Sequence, residues 1–110
     1  MMSDRNVIYV GSGKSPMEYV MFILSGFHGR KLDEVVLKAR GRAISIAVDA
    51  AEITRTRYLP DLERSVTIGT DQVEGQDGKP RNVSSMEIIL KRKQKESNNE
   101  KENLNTEDSV

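Results

Sequence analysis

The sequence predicts one small α/β (α+β) domain of element order β-α-β-α-β-β, with a four-stranded mixed sheet, two helices on one face and a long terminal hairpin. Three observations carry that expectation. Two short β-rich runs, Asn6-Val7-Ile8-Tyr9-Val10 and residues 34–40, are each followed by a stretch whose apolar residues recur at helical spacing. Two alternating segments near the end flank the turn-forming pair Asp77-Gly78. A chain of 110 residues has room for a modest core, about what one sheet layer and two helices require.

The first run is dense in β-formers and stops at glycines. Ser15-Pro16-Met17-Glu18 then gives a helix start, with Ser at the N-cap, Pro in the first helical position and Glu at N3 closing a capping box. The helix is expected over residues 16 to about 27, burying a stripe of Met17, Val20, Met21, Leu24 and Phe27, with Gly29 as a left-handed cap. In the second strand, residues 34–40, Val35, Leu37 and Ala39 take one face and Val36, Lys38 and Arg40 the other. From Arg42 the period becomes helical through Ile44, Ala47, Val48 and Ala51, until Pro60 ends it. Ile46 and Ile53 form a second apolar line, which a small protein is expected to bury against another subunit. A third strand begins at Val66-Thr67-Ile68 and runs toward Val73, and the turn "EGQDGKPR" follows. The return strand, residues 83–92, turns Met86, Ile88 and Leu90 inward and Glu87 and Lys91 outward, with Ile89 an exposed exception. A strand, helix, strand succession makes the first two strands parallel, so both strand-to-helix junctions fall on the same edge of the sheet.

The formal charge of zero averages two unlike segments. Residues 1–95, the expected folded domain, hold 16 Lys and Arg against 12 Asp and Glu, whereas residues 96–110 hold one against five. A basic body therefore carries an acidic tail, polar and aperiodic, which is expected to be disordered. With no Cys and the single His28, the chain has no disulfide, thiol nucleophile or thiolate site, and neither a metal nor a cofactor is expected. No nucleophile-base pair or paired-carboxylate site stands out, so no enzyme is expected. The lack of a membrane-length apolar run or a signal-like start points to the cytosol.

Gly11-Ser12-Gly13-Lys14-Ser15 resembles the end of a phosphate-binding P-loop, but that pattern needs a glycine where Ile8 stands. A β-branched residue resists the left-handed dihedrals of such a loop, which disfavours a nucleotide-handling enzyme. The second junction, Lys38-Ala39-Arg40-Gly41-Arg42, also puts cations beside a helix start. Arg42 there opposes the helix dipole by roughly 0.3–1 kcal/mol, so an anion shared by both junctions would explain them together. Plainer readings stand beside this one. Ser15 works as a cap, Gly11 and Gly13 suit a turn, Lys14 can be solvated, and Arg40 and Arg42 can pair with surface acids. Arg55 and Arg57 suit the end of the second helix beside Glu52, and Lys79 and Arg81 are either a solvated turn or a basic finger.

At "KARGRAISIAVDAAEITRTRYLP", residues 38–60, the sequence closely resembles the Alba family of archaeal chromatin proteins. The likeness extends through "PMEYV", "EGQDG" and "SSMEIILKRK" and covers roughly residues 6–93. It implies a dimer that binds double-stranded DNA, and also RNA, with little sequence preference, and that condenses the chromosome. Carried over by residue, it implies nucleic-acid contacts at Ser12, Gly13 and Lys14, at Arg40 and Arg42, and at Lys79 and Arg81 on the hairpin arm. Gly13 stands in place of the second lysine of the family loop and Pro16 sits one place late, leaving Lys14 as the loop's candidate for modification. Tyr58, with Leu59, stands where the family packs dimer against dimer. The chain lacks the interleaved aromatics of a single-strand stacking platform, which favours duplexes. The alternative on the same surface is RNA binding in RNA maturation or ribonucleoprotein assembly. The acidic tail is read either as a solubilising end or as a competitor for the basic surface.

Overall fold

The computed structural model of the chain describes residues 6–93, so the acidic tail expected at 96–110 lies outside the described residues. Strand β1 (Val7–Val10) leads to helix α1 (Pro16–Leu24), β2 (Glu34–Arg40), helix α2 (Ala43–Ile53), β3 (Leu62–Glu74) and β4 (Pro80–Arg92). The four strands form one sheet in the order β1-β2-β4-β3, with β1 and β2 parallel and β4 antiparallel to both its neighbours. No helix among the described residues is long and apolar enough to cross a membrane.

Pleat parity divides the sheet. Val10, Val35, Leu37, Ala39, Ile88 and Leu90 belong to one buried cluster with the helices, so both helices cover one face. α2 meets it through Ala43, Ala47, Ala50 and Ala51, small side chains that permit a close approach to the sheet and to α1. α1 buries Tyr19, Val20 and Ile23, and Phe27 continues the line in the π-helical turn Ser25–Gly29 that extends the helix. The expected stripe is thus displaced by one position: Val20 and Phe27 are buried, but Met17 and Met21 are exposed. Tyr19 takes the inner place because its hydroxyl finds a partner there, accepting from the Gly11 N–H at 2.9 Å. Gly26 sits inside as well, where a Cβ would come within 3.2 Å of Val35 Cγ2.

Several boundaries differ from expectation for local reasons. The left-handed residue after the first helix is Lys31, at φ 59°, and not Gly29, which lies within the π-helical turn closed by the Arg30 N–H to Ser25 carbonyl bond. α2 likewise ends in a π-helical turn, Thr54–Tyr58, where the buried Thr54 hydroxyl donates to the Ala50 carbonyl at 2.8 Å. Ile46 and Ile53 are half-buried against the core cluster. β3 starts at Leu62, four residues before Val66, because Leu62 anchors in the core while the charged Glu63 and Arg64 mask the strand pattern. Ile89 is half-buried rather than exposed, in a row with Val7 and Val36 on the face opposite the helices.

The capping box forms as the sequence spells it: the Ser15 N–H donates to Glu18 Oε2 at 2.9 Å and the Glu18 N–H to Ser15 Oγ at 3.3 Å. The Ser15 backbone bond, and less strongly the Ser15 hydroxyl and Lys14, hold the Glu18 carboxyl below its ordinary value against a smaller desolvation effect. A depressed carboxyl stabilises the fold above the unfolded-state pKa and loses that contribution as pH falls through the folded value. Ser15→Ala is expected to lower stability by about 1 kcal/mol at neutral pH. Glu18→Gln is expected to be less stable than wild type in neutral urea titrations, with the gap closing in acid; a gap independent of pH would contradict this.

Candidate functional site

Val10 pairs with Ala39, so the chain leaves β1 and β2 side by side, strands about 4.8 Å apart, into two adjacent reversals at the same end of the sheet. They are built differently. In the first, residues 11–15, the Gly11 N–H is taken by Tyr19 Oη, and the Ser15 and Glu18 N–H groups are taken by the capping box. Pro16 has no N–H to offer. The N-terminus of α1 therefore holds its own carboxylate, Glu18, and the P-loop likeness fails on geometry as well as on spacing. Ser12, Gly13 and Lys14 form the exposed crest. A Cβ at Gly13 would meet nothing within 4 Å and its φ is not left-handed, so the turn does not require glycine there.

The second reversal has no such internal anion. Gly41 takes φ +57°, where a side chain is strained, and its N–H donates to the Ser84 carbonyl at 2.9 Å, tying the turn to β4. Arg42 occupies the N-cap without a capping side chain, and no acid lies in the first turn of α2. The positive end of α2 is thus uncompensated and stands beside an exposed guanidinium. Among the described residues Arg42 and Lys14 form no ion pair. Arg40 Nε lies 3.8 Å from Asp71 Oδ2, with both side chains about half exposed, which makes a loose pair of little strength.

Pairing of β2 with β4 ends at Arg40 and Ser85, whereas β3 and β4 stay paired out to Glu74 and Pro80. The hairpin consequently projects about 17 Å past the sheet body at the end that bears both reversals. Its tip is set by Gly78 at φ +81°, by the Gly75 N–H to Lys79 carbonyl bond of 2.8 Å and by Asp77 Oδ1, which accepts from the Lys79 N–H at 3.0 Å. Gly75 leaves room for Arg81, whose Cδ would lie 2.9 Å from a Cβ at that position.

The fold thus gathers Ser12, Gly13, Lys14, Arg40 and Arg42 at one end and carries Lys79 and Arg81 outward from it. Tyr58 and Leu59 are elsewhere: α2 runs back from the second reversal, so they sit toward its far end, with Tyr58 exposed and Leu59 packed on the core. Arg55, bonded to Glu52 at 3.0 Å, and Arg64, 3.4 Å from the same carboxylate, are tied up near that end. Sequence reasoning missed two features of the cationic end. Asp71 faces Arg40 only because of the hairpin register. Tyr9, exposed at 70%, stands beside Lys38 and the other cations on the open face, which strand alternation about Val10 could have revealed.

Residues 6–72 match the family profile described as Alba. The DNA/RNA-binding protein Alba of Methanococcus maripaludis is 44% identical over 86 residues, 77% of this chain and 96% of that protein. Its namesake in Methanocella arvoryzae is 48% identical over 93 residues, 83% of this chain and 94% of that one. The solved structure of Alba from Thermoplasma volcanium, 41% identical, gives a TM-score of 0.73 and covers 79% of this chain and 100% of its own. ALBA1 from Trypanosoma brucei, at 19% identity and a TM-score of 0.58 over 89% of this chain and 80% of its own, shares the fold alone. By profile, sequence and fold together, the chain belongs to the Alba family.

Proposed function

We propose that this protein is a chromatin protein that binds double-stranded DNA without sequence preference, as a dimer, through contacts to the phosphate backbone. The observation that carries the reading is the contrast between the two adjacent helix starts. One is closed by its own Glu18; the other is bare, cationic and open to solvent, so it suits an anion from outside. Arg40 and Arg42 supply guanidinium forks, Lys14 a point charge one strand away, and Lys79 and Arg81 extend the same charge along the arm. Such contacts neutralise a phosphate rail and read no base edge. Relatives named as DNA/RNA-binding support the nucleic-acid reading, and equal-length RNA and DNA duplexes in competition separate an RNA role from this one. None of these groups needs to move a bond, so the role is binding rather than catalysis, on the chromosome in the cytoplasm. Lys14 is the first reversal's lysine, and its acetylation would remove that charge.

A dimer is supported by the helix side of β3. Val66 and Ile68 share the inward parity of Ile88 and Met86 but lie past the helices, with Ile68 exposed at 74%, and Val48 of α2 is exposed as well. A second copy is the occupant that would hide this strip and double the cationic end.

Arg42→Ala is expected to flatten the dependence of log K on log salt by about 0.9 for each phosphate that Arg42 neutralises, in filter-binding titrations. An unchanged slope removes Arg42 from the interface. Asp71→Asn frees Arg40 and is expected to tighten duplex binding about threefold, in proportion to a weak surface pair. Ile68→Asp is expected to yield monomer in sedimentation runs at concentrations where wild type is dimeric; a dimer of undiminished stability would exclude β3 from the interface.

A further inference from the structure

We propose that the open face of the sheet, beside the cationic end, holds one unpaired nucleotide, its base on the Tyr9 ring and its phosphate on Lys38 and Arg40. This rests on the nucleic-acid reading above and adds a second, single-stranded subsite to it. Tyr9 is the most exposed aromatic ring among the described residues and projects from the sheet face opposite the helices. The register sets Tyr9, Lys38, Glu87 and Thr67 in one row across β1, β2, β4 and β3. In the next row toward the reversals come Arg40, Ser85 and Gly69. Ser85 and Gly69 are short and lie on the floor of a hollow of about 800 Å³ that is bordered by Tyr9, Lys38, Glu87 and the Arg40–Asp71 pair and reaches to Arg42. That is within the range of small-ligand sites, which run from about 300 to 1,000 Å³.

The chemistry of the hollow selects its occupant. An aromatic wall accepts the face of any base, and stacking of this kind is tolerant of sequence. Lys38 stands next to Tyr9 and Arg40 one row on, which puts cations where the sugar-phosphate of a stacked base would run. Glu87 and Asp71 also border the hollow, and as carboxylates they accept from the N–H groups of a base and repel phosphate, so they fix which end of the nucleotide lies where. A base within a duplex has both faces covered by its neighbours. A base outside the stack, at a gap or in a single-stranded extension, presents a free face to Tyr9. The general lack of aromatics in the sequence therefore holds for the chain as a whole but not at this point of the sheet.

The chain has no Trp, so in the full-length protein Tyr9→Trp provides a single indole reporter at the site. It is titrated with a blunt DNA duplex and with the same duplex bearing a short single-stranded extension. The indole emission is expected to be quenched by the extended duplex and to stay unchanged with the blunt one. Tyr9→Leu, which keeps an apolar strand residue but no ring, is expected to lose about tenfold in affinity for the extended duplex and nothing for the blunt one. Equal affinity of Tyr9→Leu and wild type for the extended duplex, or equal quenching by both duplexes, overturns the subsite while leaving the backbone reading intact. If neither duplex binds wild type at low salt, the backbone reading fails first, and the subsite falls with it.

Discussion

The parallel pairing of β1 with β2 is the constraint on which the rest depends. A parallel pair joined by a crossover helix must deliver both following helices from the same end of the sheet, and the register Val10 to Ala39 brings their starts within one strand spacing. Antiparallel β4 then runs away from that end, so the hairpin it shares with β3 projects from the same place. Topology alone thus collects the two reversals and the arm.

The two helix starts solve one electrostatic problem in opposite ways. α1 provides a capping box, a proline at its first position and an acid in its first turn, each of which stabilises the fold. α2 gives up all three and places Arg42 where the dipole disfavours it. Local stability is lost at α2 and recovered elsewhere, through its alanine face and the buried Thr54 bond to Ala50. Departures of this kind from local consistency are characteristic of functional positions. Arg40 is a milder case, since Asp71 occupies it only loosely at 3.8 Å.

Much of this was legible in the letters. The capping box, the Asp77-Gly78 turn and the alternation of β2 depend on neighbours in sequence, and they appear in the structure where the residues put them. The phase of α1 was not legible, because an apolar count favours Met21 over Tyr19, and only the partner at Gly11 decides for the tyrosine. The same holds at the site. Lys14, Arg40 and Arg42 could be read from their place beside helix starts, whereas the Arg40 to Asp71 pair and the row through Tyr9 and Lys38 arise from strand register, which no local pattern specifies.

In the proposed function, the bare start of α2 and the crest of the first reversal grip one polyanion together. Backbone amide shifts followed by NMR while a short DNA duplex is added test it most directly. The amides of Ser12, Gly13 and Lys14 and those of Arg42 and Ala43 are expected to move in step, with one apparent affinity, while amides near Tyr58 respond less. Shifts centred on Tyr58 and the exposed side of α1, with the two reversals unmoved, would contradict it.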